Sequence, residues 1–195
     1  MPVEGHAIYA PRGRRLYSVT EVLGCYFQEF MEKSRVASFI IEHAAAKGTL
    51  VHQWCVAYAM GLFVPDLPGE YQGYCRSFAA WFDTYVDKVI FMEERLHDYD
   101  LGFYGHPDLL CRVRHHDFDS LFDLKTPIAH SVLWGLQLSA YYHLLKKNGY
   151  NPAWAGSLQL DPDGGSPRVT KHVYAERDLA VFLSGLTIRR YVDAA

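Results

Sequence analysis

Three apolar segments separated by short polar turns occupy the middle of the chain and restrict its possible folds more than any other feature. They cover residues 89–97, 103–114 and 121–126, and Pro107 interrupts the second segment near its start. Apolar segments of this length, joined by turn residues, are typical of antiparallel strands. The sequence therefore predicts a β-meander at the centre of the fold.

Helical patterns surround this predicted meander. Ser18 and Glu21 have the spacing of a capping box, which predicts a helix over residues 18–33. Gly48 is expected to end a second helix, and Thr49 to cap a third. The other predicted elements are helices over residues 36–47, 50–62, 71–86, 131–148 and 176–192, and strands over residues 153–160 and 168–174. This order predicts an α/β fold of the α+β type, with a mixed central β-sheet flanked by helices in αβββαβ order, extra N-terminal helices and a C-terminal helix.

Size and composition indicate one globular domain. The chain has 195 residues, of which 50% are hydrophobic and 21% are charged, and this suffices to bury a core without disulfides. We therefore assign residues 1–195 to a single domain, with residues 1–17 as an irregular N-terminal arm. The formal net charge of −3 argues against a protein that coats nucleic acid through bulk positive charge, so any such contact must use local basic groups.

The chain is expected to be cytoplasmic. Its four cysteines are widely spaced and form no C-x-x-C pair, which argues against a disulfide framework and a zinc knuckle. The N-terminal segment lacks the apolar stretch of a signal peptide. The longest nearly apolar run, residues 54–64, is too short to cross a bilayer, so we expect no membrane partner.

Two charged residues on the third predicted strand point to chemistry. Asp123 and Lys125 share one face of the strand, while Phe122 and Leu124 face the core. Burying a charged pair is costly, and an ion pair at a sheet edge is the more common explanation. Asp108 favours a functional interpretation, because residues 108 and 123 are equidistant from a point at the start of the turn over residues 115–119. If the strands pair across that turn, the two carboxylates lie side by side and require a cation, most suitably Mg²⁺ or Mn²⁺.

Other polar side chains are candidates for the same site. Glu93 adds a third carboxylate from the first predicted strand, and its neighbour Glu94 faces the opposite side. His52 lies on a mostly apolar helix, where a packed core histidine is the ordinary interpretation. Gln137 and Tyr141 are four positions apart and share one helix face, at the margin of an apolar stripe. These residues have a role only if the fold brings them to the paired carboxylates.

Taken together, these residues resemble the motifs of the PD-(D/E)XK nuclease superfamily, in particular its RecB-like exonuclease branch. Pro107-Asp108 followed by Asp123-Leu124-Lys125 match its signature, and residues 137–141 match its Q-x-x-x-Y motif. Gly48-Thr49-x-x-His52 is similar to an early G-T-x-x-H helix of that branch. Residues 18–23 are similar to the S-V-T-x-V-L opening of phage exonucleases and of the mitochondrial genome maintenance exonuclease. The five motifs occur in the same order and span most of the chain.

This resemblance implies a restriction-endonuclease-like core and a metal-dependent DNA exonuclease that hydrolyses phosphodiester bonds in phage or bacterial recombination, repair or replication. A non-catalytic protein of the same fold that binds nucleic acid or a protein partner is the alternative. The implied catalytic residues are Asp108, Asp123, Lys125, Glu93, Gln137 and Tyr141, and the implied ligands of Mg²⁺ or Mn²⁺ are His52, Asp108, Asp123 and the backbone carbonyl of Leu124.

The resemblance also assigns roles to the surrounding side chains. Glu93 would hold a second ion or an outer water, and Lys125 would orient the attacking water or stabilise the transition state. Gln137 and Tyr141 would position the DNA backbone. Some relatives hold an iron–sulfur cluster on one early cysteine and three late ones, but the last cysteine here is Cys111, so no cluster is expected.

The expected partner is DNA, single-stranded or with free ends, together with phage recombination or replication proteins. Local basic groups would contact its phosphates. The candidates are Arg12, Arg14, Arg15, Arg112, Arg114, Lys146 and Lys147.

Overall fold

The computed structural model describes residues 7–11, 13–34, 38–127, 131–173 and 176–195, without the side chains of residues 27–44. These residues form five α-helices and nine strands in two mixed sheets, so the predicted mixed α/β class is confirmed. In chain order the elements are β1 (Ile8–Tyr9), β2 (Arg15–Ser18), α1 (Val19–Ser34), α2 (Ser38–Ala59), α3 (Gln72–Tyr85), β3 (Val86–Met92), β4 (Leu96–Asp98), β5 (Phe103–Gly105), β6 (Leu109–Val113), β7 (Asp119–Lys125), α4 (Leu133–Lys147), β8 (Trp154–Gln159), β9 (Arg168–His172) and α5 (Glu176–Ala194).

The larger sheet contains five strands in the order β3-β6-β7-β8-β9. The β3-β6 and β6-β7 pairs are antiparallel, as the predicted meander requires. The β7-β8 pair is parallel, and α4 supplies the crossover that a parallel pair needs. The last strand pairs antiparallel with β8 and lies at the sheet edge.

The predicted long strands over residues 89–97 and 103–114 are each divided in two, which corrects the sequence prediction. Glu93 leaves the first with a left-handed φ of 54°, and Pro107 has no N–H for a ladder. The detached pieces, β4 and β5, join the N-terminal strands in a second sheet of order β1-β2-β5-β4. The N-terminal arm, predicted to be irregular, therefore contains regular structure. Strand β1 and most of strand β2 lie within residues 1–17.

The helices confirm one predicted boundary and correct another. Glu21 N donates to Ser18 Oγ at 3.1 Å and Ser18 N donates to Glu21 Oε2 at 2.8 Å, which is the predicted capping box at the start of α1. By contrast, α2 continues through Gly48 and Thr49 without a break. The Thr49 hydroxyl donates to Ala45 O at 3.0 Å within the helix instead of capping a new one.

The core lies on both faces of the larger sheet. Leu110 and Leu121 contribute to a cluster with buried residues of α1, α4 and α5. Their neighbours Leu109, Phe122 and Leu124 point the other way, into a cluster with α2 and α3, as predicted for Phe122 and Leu124. Within the described part of the chain, none of the helices combines the length and the apolarity needed to cross a membrane.

Candidate active site

The register of β6 and β7 brings Asp108 next to Asp123. Leu109 is paired with Phe122, so the residue before Leu109 and the residue after Phe122 lie side by side at the end of this ladder. Asp108 Oδ2 also accepts a hydrogen bond of 2.6 Å from the backbone N–H of Leu124. The pairing predicted from the turn position is therefore the pairing observed.

Glu93 reaches the same place from β3. Its backbone N–H donates to the carbonyls of Pro107 at 3.2 Å and Asp108 at 3.1 Å, which ties it to the start of β6. Its left-handed backbone is rare outside glycine and costs free energy. Glu94 lies elsewhere and accepts a hydrogen bond from Tyr150 OH at 2.9 Å.

His52 completes a three-residue cluster from α2. Its Nδ1 lies 2.5 Å from Glu93 Oε1, and its Nε2 lies 2.9 Å from Asp108 Oδ2. Ligand atoms of the three side chains lie within 4.8 Å of one another. One imidazole and two carboxylates are a donor set suited to a divalent cation.

The charges of His52 and Asp108 hold each other in their ionised forms. Burial by itself lowers the pKa of His52, but Asp108 and Glu93 outweigh it and raise that pKa to about 11. Burial acts to raise the pKa of Asp108, but the charges of His52 and Lys125 and the N–H of Leu124 bring it below the ordinary value. Without a bound cation, a protonated imidazole therefore balances two carboxylates.

Asp123 is the least satisfied polar group of the site. Its exposure is 0%, and neither carboxylate oxygen receives a well-directed hydrogen bond from the described residues. Lys125 Nζ forms a close ion pair with Oδ2. Burial still raises the pKa of Asp123 to about 6, with the charge of Lys125 opposing and that of Asp108 adding to the effect. A buried carboxylate with free lone pairs is costly unless a cation completes it.

Lys125 links the carboxylates to α4. Its ammonium donates to Gln137 Oε1 at 2.9 Å, and Gln137 Nε2 donates to Tyr141 OH at 3.2 Å. Burial raises the pKa of Tyr141 well above the ordinary value, and the charges of Asp108 and Asp123 add to this, so the phenol stays protonated. The two helix residues therefore hold the Lys125 ammonium in place on the side away from Asp123.

Trp134 is absent from the predicted site residues but belongs to the site. Its ring centroid lies 5.6 Å from Lys125 Nζ, within cation–π range, and the residue is 7% exposed. The signal in the sequence is its position three residues before Gln137, on the same face of α4.

A cavity of about 800 Å³ opens over these groups. His52, Glu93 and Lys125 line it together with Leu124. Its other walls are largely apolar, with Leu62 and Trp134 among them. This volume lies within the range of ordinary small-molecule sites, roughly 300–1,000 Å³.

The predicted basic contacts do not gather at this cavity. Arg112 and Arg114 lie at the opposite end of β6, where they contact Asp119 and the carbonyl of Asp83. Lys146 and Lys147 end α4, about 15 Å along the helix from Gln137 at 1.5 Å per residue.

The N-terminal basic residues also lie away from the cavity. Arg14 donates to the carbonyl of Asp100 at 2.9 Å, and Arg15 forms ion pairs with Glu21 and Asp193. Arg12 lies outside the described residues.

The donor set fits a hard divalent cation. His52, Glu93 and Asp108 already converge. Asp123 next to them has a buried carboxylate whose Oδ2 is paired with Lys125 and whose Oδ1 receives no hydrogen bond from the described residues. Oxygen ligands with one imidazole suit Mg²⁺ or Mn²⁺ better than softer metals. Comparisons of the chain with protein-family models and with curated proteins gave no match.

Proposed function

We propose that the protein is a Mg²⁺- or Mn²⁺-dependent DNA exonuclease with the restriction-endonuclease-like core of the PD-(D/E)XK nucleases, in their RecB-like branch. The observation that carries the proposal is the convergence of the buried Asp108 and Asp123 on Lys125, His52 and Glu93, and these last three line one cavity. These residues lie on or next to three strands and on one helix, and they range from position 52 to position 125 of the sequence. A chance ion pair at a sheet edge does not require such convergence.

The chemistry follows from the positions of the side chains. A divalent ion held by Asp108, Asp123 and His52 would lower the pKa of a bound water and neutralise charge on the scissile phosphate. Lys125 Nζ lies against Asp123 Oδ2. From there the ammonium can orient the attacking water and stabilise the negative charge that develops on the phosphate in the transition state. Gln137 and Tyr141 fix that ammonium and offer an amide and a phenol to the DNA backbone.

The order of elements supports the finer fold proposal. Within the larger sheet, α3 is followed by three antiparallel strands, then by α4 and a parallel strand, the αβββαβ order of the resemblance. The signature residues lie at the end of the second strand and along the third, and the Q-x-x-x-Y residues lie on the following helix. A role in phage or bacterial recombination, repair or replication in the cytoplasm, with the corresponding protein partners, is part of the same proposal.

The test is digestion of end-labelled linear DNA and of covalently closed circular DNA with Mg²⁺ or Mn²⁺. We expect degradation of the linear DNA alone, and a fall of at least about 100-fold in rate for Asp123→Asn and Lys125→Ala, since each removes a group that stabilises the transition state. Asp119→Asn on the same strand and Lys88→Ala on β3, at the edge of the same sheet, are the matched controls and should retain activity.

Each other outcome has a definite meaning. Equal activity of the wild type and both site variants would refute the catalytic assignment. Cleavage of closed circles would show an endonuclease. Tight DNA binding without cleavage under any metal condition would favour the non-catalytic protein of the same fold.

A further inference from the structure

The outward face of the smaller sheet carries a row of rings next to the proposed active site. On β4, Leu96 and Asp98 are buried and His97 between them faces outward. On β5, Phe103 and Gly105 are buried and Tyr104 faces outward. The alternation of strands therefore places the polar rings on one face.

The strand register joins these residues into a continuous row, which we call the ring row: Arg95, His97, Tyr99, Tyr104 and His106. His97 pairs directly with Tyr104 across the strands, with ring centroids 6.0 Å apart. His97 stacks on Tyr99 at 5.3 Å with an angle of 9° between the rings. Tyr104 meets His106 edge to face at 5.9 Å.

Arg95 adds a positive charge to the ring row. Its guanidinium lies 5.9 Å from the centre of the Tyr104 ring, and its Nε donates to His106 Nε2 at 3.0 Å. Arg95 is exposed, and within the described residues it has no carboxylate at ion-pair distance. Its charge is thus available to an anion from solution.

One end of the ring row meets the proposed active site. Arg95 is two residues after Glu93, and His106 is two residues before Asp108, so the two strands of the hairpin lead directly into the site. From Arg95 to Tyr99 the row extends about 13 Å at 3.3 Å per residue. That is about the length of four stacking steps of a nucleic-acid strand at 3.4 Å per step.

The other end of the ring row carries further positive charge. Lys147 forms a 2.7 Å ion pair with Asp100, the neighbour of Tyr99, and Arg14 donates to the Asp100 carbonyl. Arg190 donates to the carbonyls of Leu101 and Gly102 in the same turn. Three cations therefore surround this turn, of which Asp100 neutralises one.

We propose that the ring row is a stacking platform for unpaired bases of a DNA strand whose end lies in the active site. Rings with exposed faces and cations at both ends are the features that bind single strands without regard to sequence, because every base has a face to stack and every nucleotide a phosphate. Tyr99 is 50% exposed at the outer end of the stack, so a base can extend the stack there. This inference rests on the proposed nuclease function.

The chemistry selects a single strand over a duplex. In a duplex, the bases stack on one another and their faces are closed to protein side chains, whereas unpaired bases present both faces. Cross-strand ring pairs also stabilise small sheets. If the ring row had only a structural role, substitutions in it would therefore lower stability and leave the affinity for DNA unchanged.

The test measures binding in EDTA, so that cleavage plays no part. Fluorescence anisotropy with a labelled dT20 oligonucleotide and with a 20-base-pair duplex would compare the wild type, Tyr99→Ala, Arg95→Ala and the control Tyr85→Ala. Tyr85 is 51% exposed, like Tyr99, and ends α3. We expect Tyr99→Ala to bind dT20 about 5- to 100-fold more weakly and Arg95→Ala to reduce the salt slope by about 0.7. Tyr85→Ala should match the wild type.

Photocrosslinking of a 5-iodouracil oligonucleotide provides a readout of position. Crosslinks within residues 95–106 are expected. Tyr99→Ala binding equal to that of Tyr85→Ala, crosslinks only elsewhere, or duplex bound as tightly as dT20 would each overturn the proposal. Loss of the nuclease assignment is a separate result, because it is read from metal-dependent cleavage and not from binding in EDTA.

Discussion

Replacing Asp123 by asparagine should stabilise the metal-free protein even though it removes a native ion pair. Two aspartates are almost fully buried, Asp98 at 1% exposure and Asp123 at 0%. Asp98 Oδ1 accepts from the N–H groups of Asp100 at 2.9 Å and Leu101 at 2.8 Å, and His143 Nε2 lies 2.8 Å from its Oδ2. Neither oxygen of Asp123 receives a comparable hydrogen bond from the described residues. Burial acts to raise the pKa of both carboxyls. For Asp98 the hydrogen bonds outweigh burial, so its pKa is lowered, whereas the pKa of Asp123 remains raised.

The size of the effect follows from the pKa of Asp123. A carboxyl pKa raised from 3.8 to about 6 corresponds to about 3 kcal/mol of lost stability above pH 6. The folded state binds the proton more tightly than the unfolded state, so stability falls as the pH rises from about 4 to about 6. Asparagine resembles the protonated carboxyl in shape and charge, so it avoids most of this cost, and we expect a net gain of about 1–3 kcal/mol. For a chain of this size that is a Tm increase of about 2–12 °C.

Thermal unfolding followed by circular dichroism in EDTA measures this effect. At pH 7.5 Asp123→Asn should unfold at a higher temperature than the wild type, and at pH 4 the difference should nearly vanish because Asp123 is then protonated. Asp98→Asn is the matched control and should be destabilised by about 1–3 kcal/mol at pH 7.5, since it loses charge-assisted hydrogen bonds. Mn²⁺ at about 100 times its Kd should stabilise the wild type and Asp98→Asn by about 2.7 kcal/mol, whereas Asp123→Asn, which lacks a proposed ligand, should gain much less.

Two results would refute the reasoning. Asp123→Asn could unfold below the wild type at pH 7.5, which would mean that the Lys125 ion pair outweighs the cost of burial. The difference in unfolding temperature between Asp123→Asn and the wild type could also be the same at pH 7.5 and pH 4. That result would mean that the difference does not arise from the ionisation of Asp123.

Three further predictions concern the surroundings of the site. His52, with its pKa raised to about 11, contributes stability that is complete below pH 6.5 and is lost as the pH rises through 11. Calorimetry at pH 8 should show about one proton released per Mn²⁺ bound by the wild type and none by His52→Gln; equal release would exclude His52 as a ligand. Gly105→Ala should lower stability by about 1–3 kcal/mol and reduce cleavage, because the new Cβ would lie 2.6 Å from a ring carbon of Tyr141; unchanged activity would contradict the positioning of the phenol. Gly73→Ala should cost about 3 kcal/mol or more in urea unfolding, because its Cβ would lie 1.6 Å from the rigid carbonyl oxygen of Pro162; wild-type stability would contradict this close packing.

Local periodicity made part of the site predictable. The turn position predicted the pairing of Asp108 with Asp123, and the observed register agrees. Alternation predicted that Asp123 and Lys125 share a face, and helical spacing predicted the contact between Gln137 and Tyr141. In each case a regular backbone sets the side-chain direction, so a spacing of two or four residues determines which side chains can meet.

Other parts of the site depend on breaks in regular structure that the sequence pattern conceals. Gly48 predicted a helix end, but packing keeps α2 continuous and carries His52 to Glu93. The left-handed backbone at Glu93 and the missing N–H of Pro107 divide two predicted strands and so create the smaller sheet. The ring row exists only because of that division.

The sequence alone therefore determined the mixed α/β class, the meander and the directions of the signature side chains, since these depend on near neighbours and on repeating geometry. Only the tertiary structure decided the charge states. Asp123 and Asp98 are both buried aspartates, yet one has an elevated pKa and the other a depressed one. The difference lies in the groups around each carboxylate: Asp98 accepts from N–H groups of its own turn and meets His143 from a distant helix, whereas Asp123 lies beside Asp108 and has only Lys125 as a close partner among the described residues. Electrostatic free energy in a buried site depends on those neighbours rather than on the residue itself.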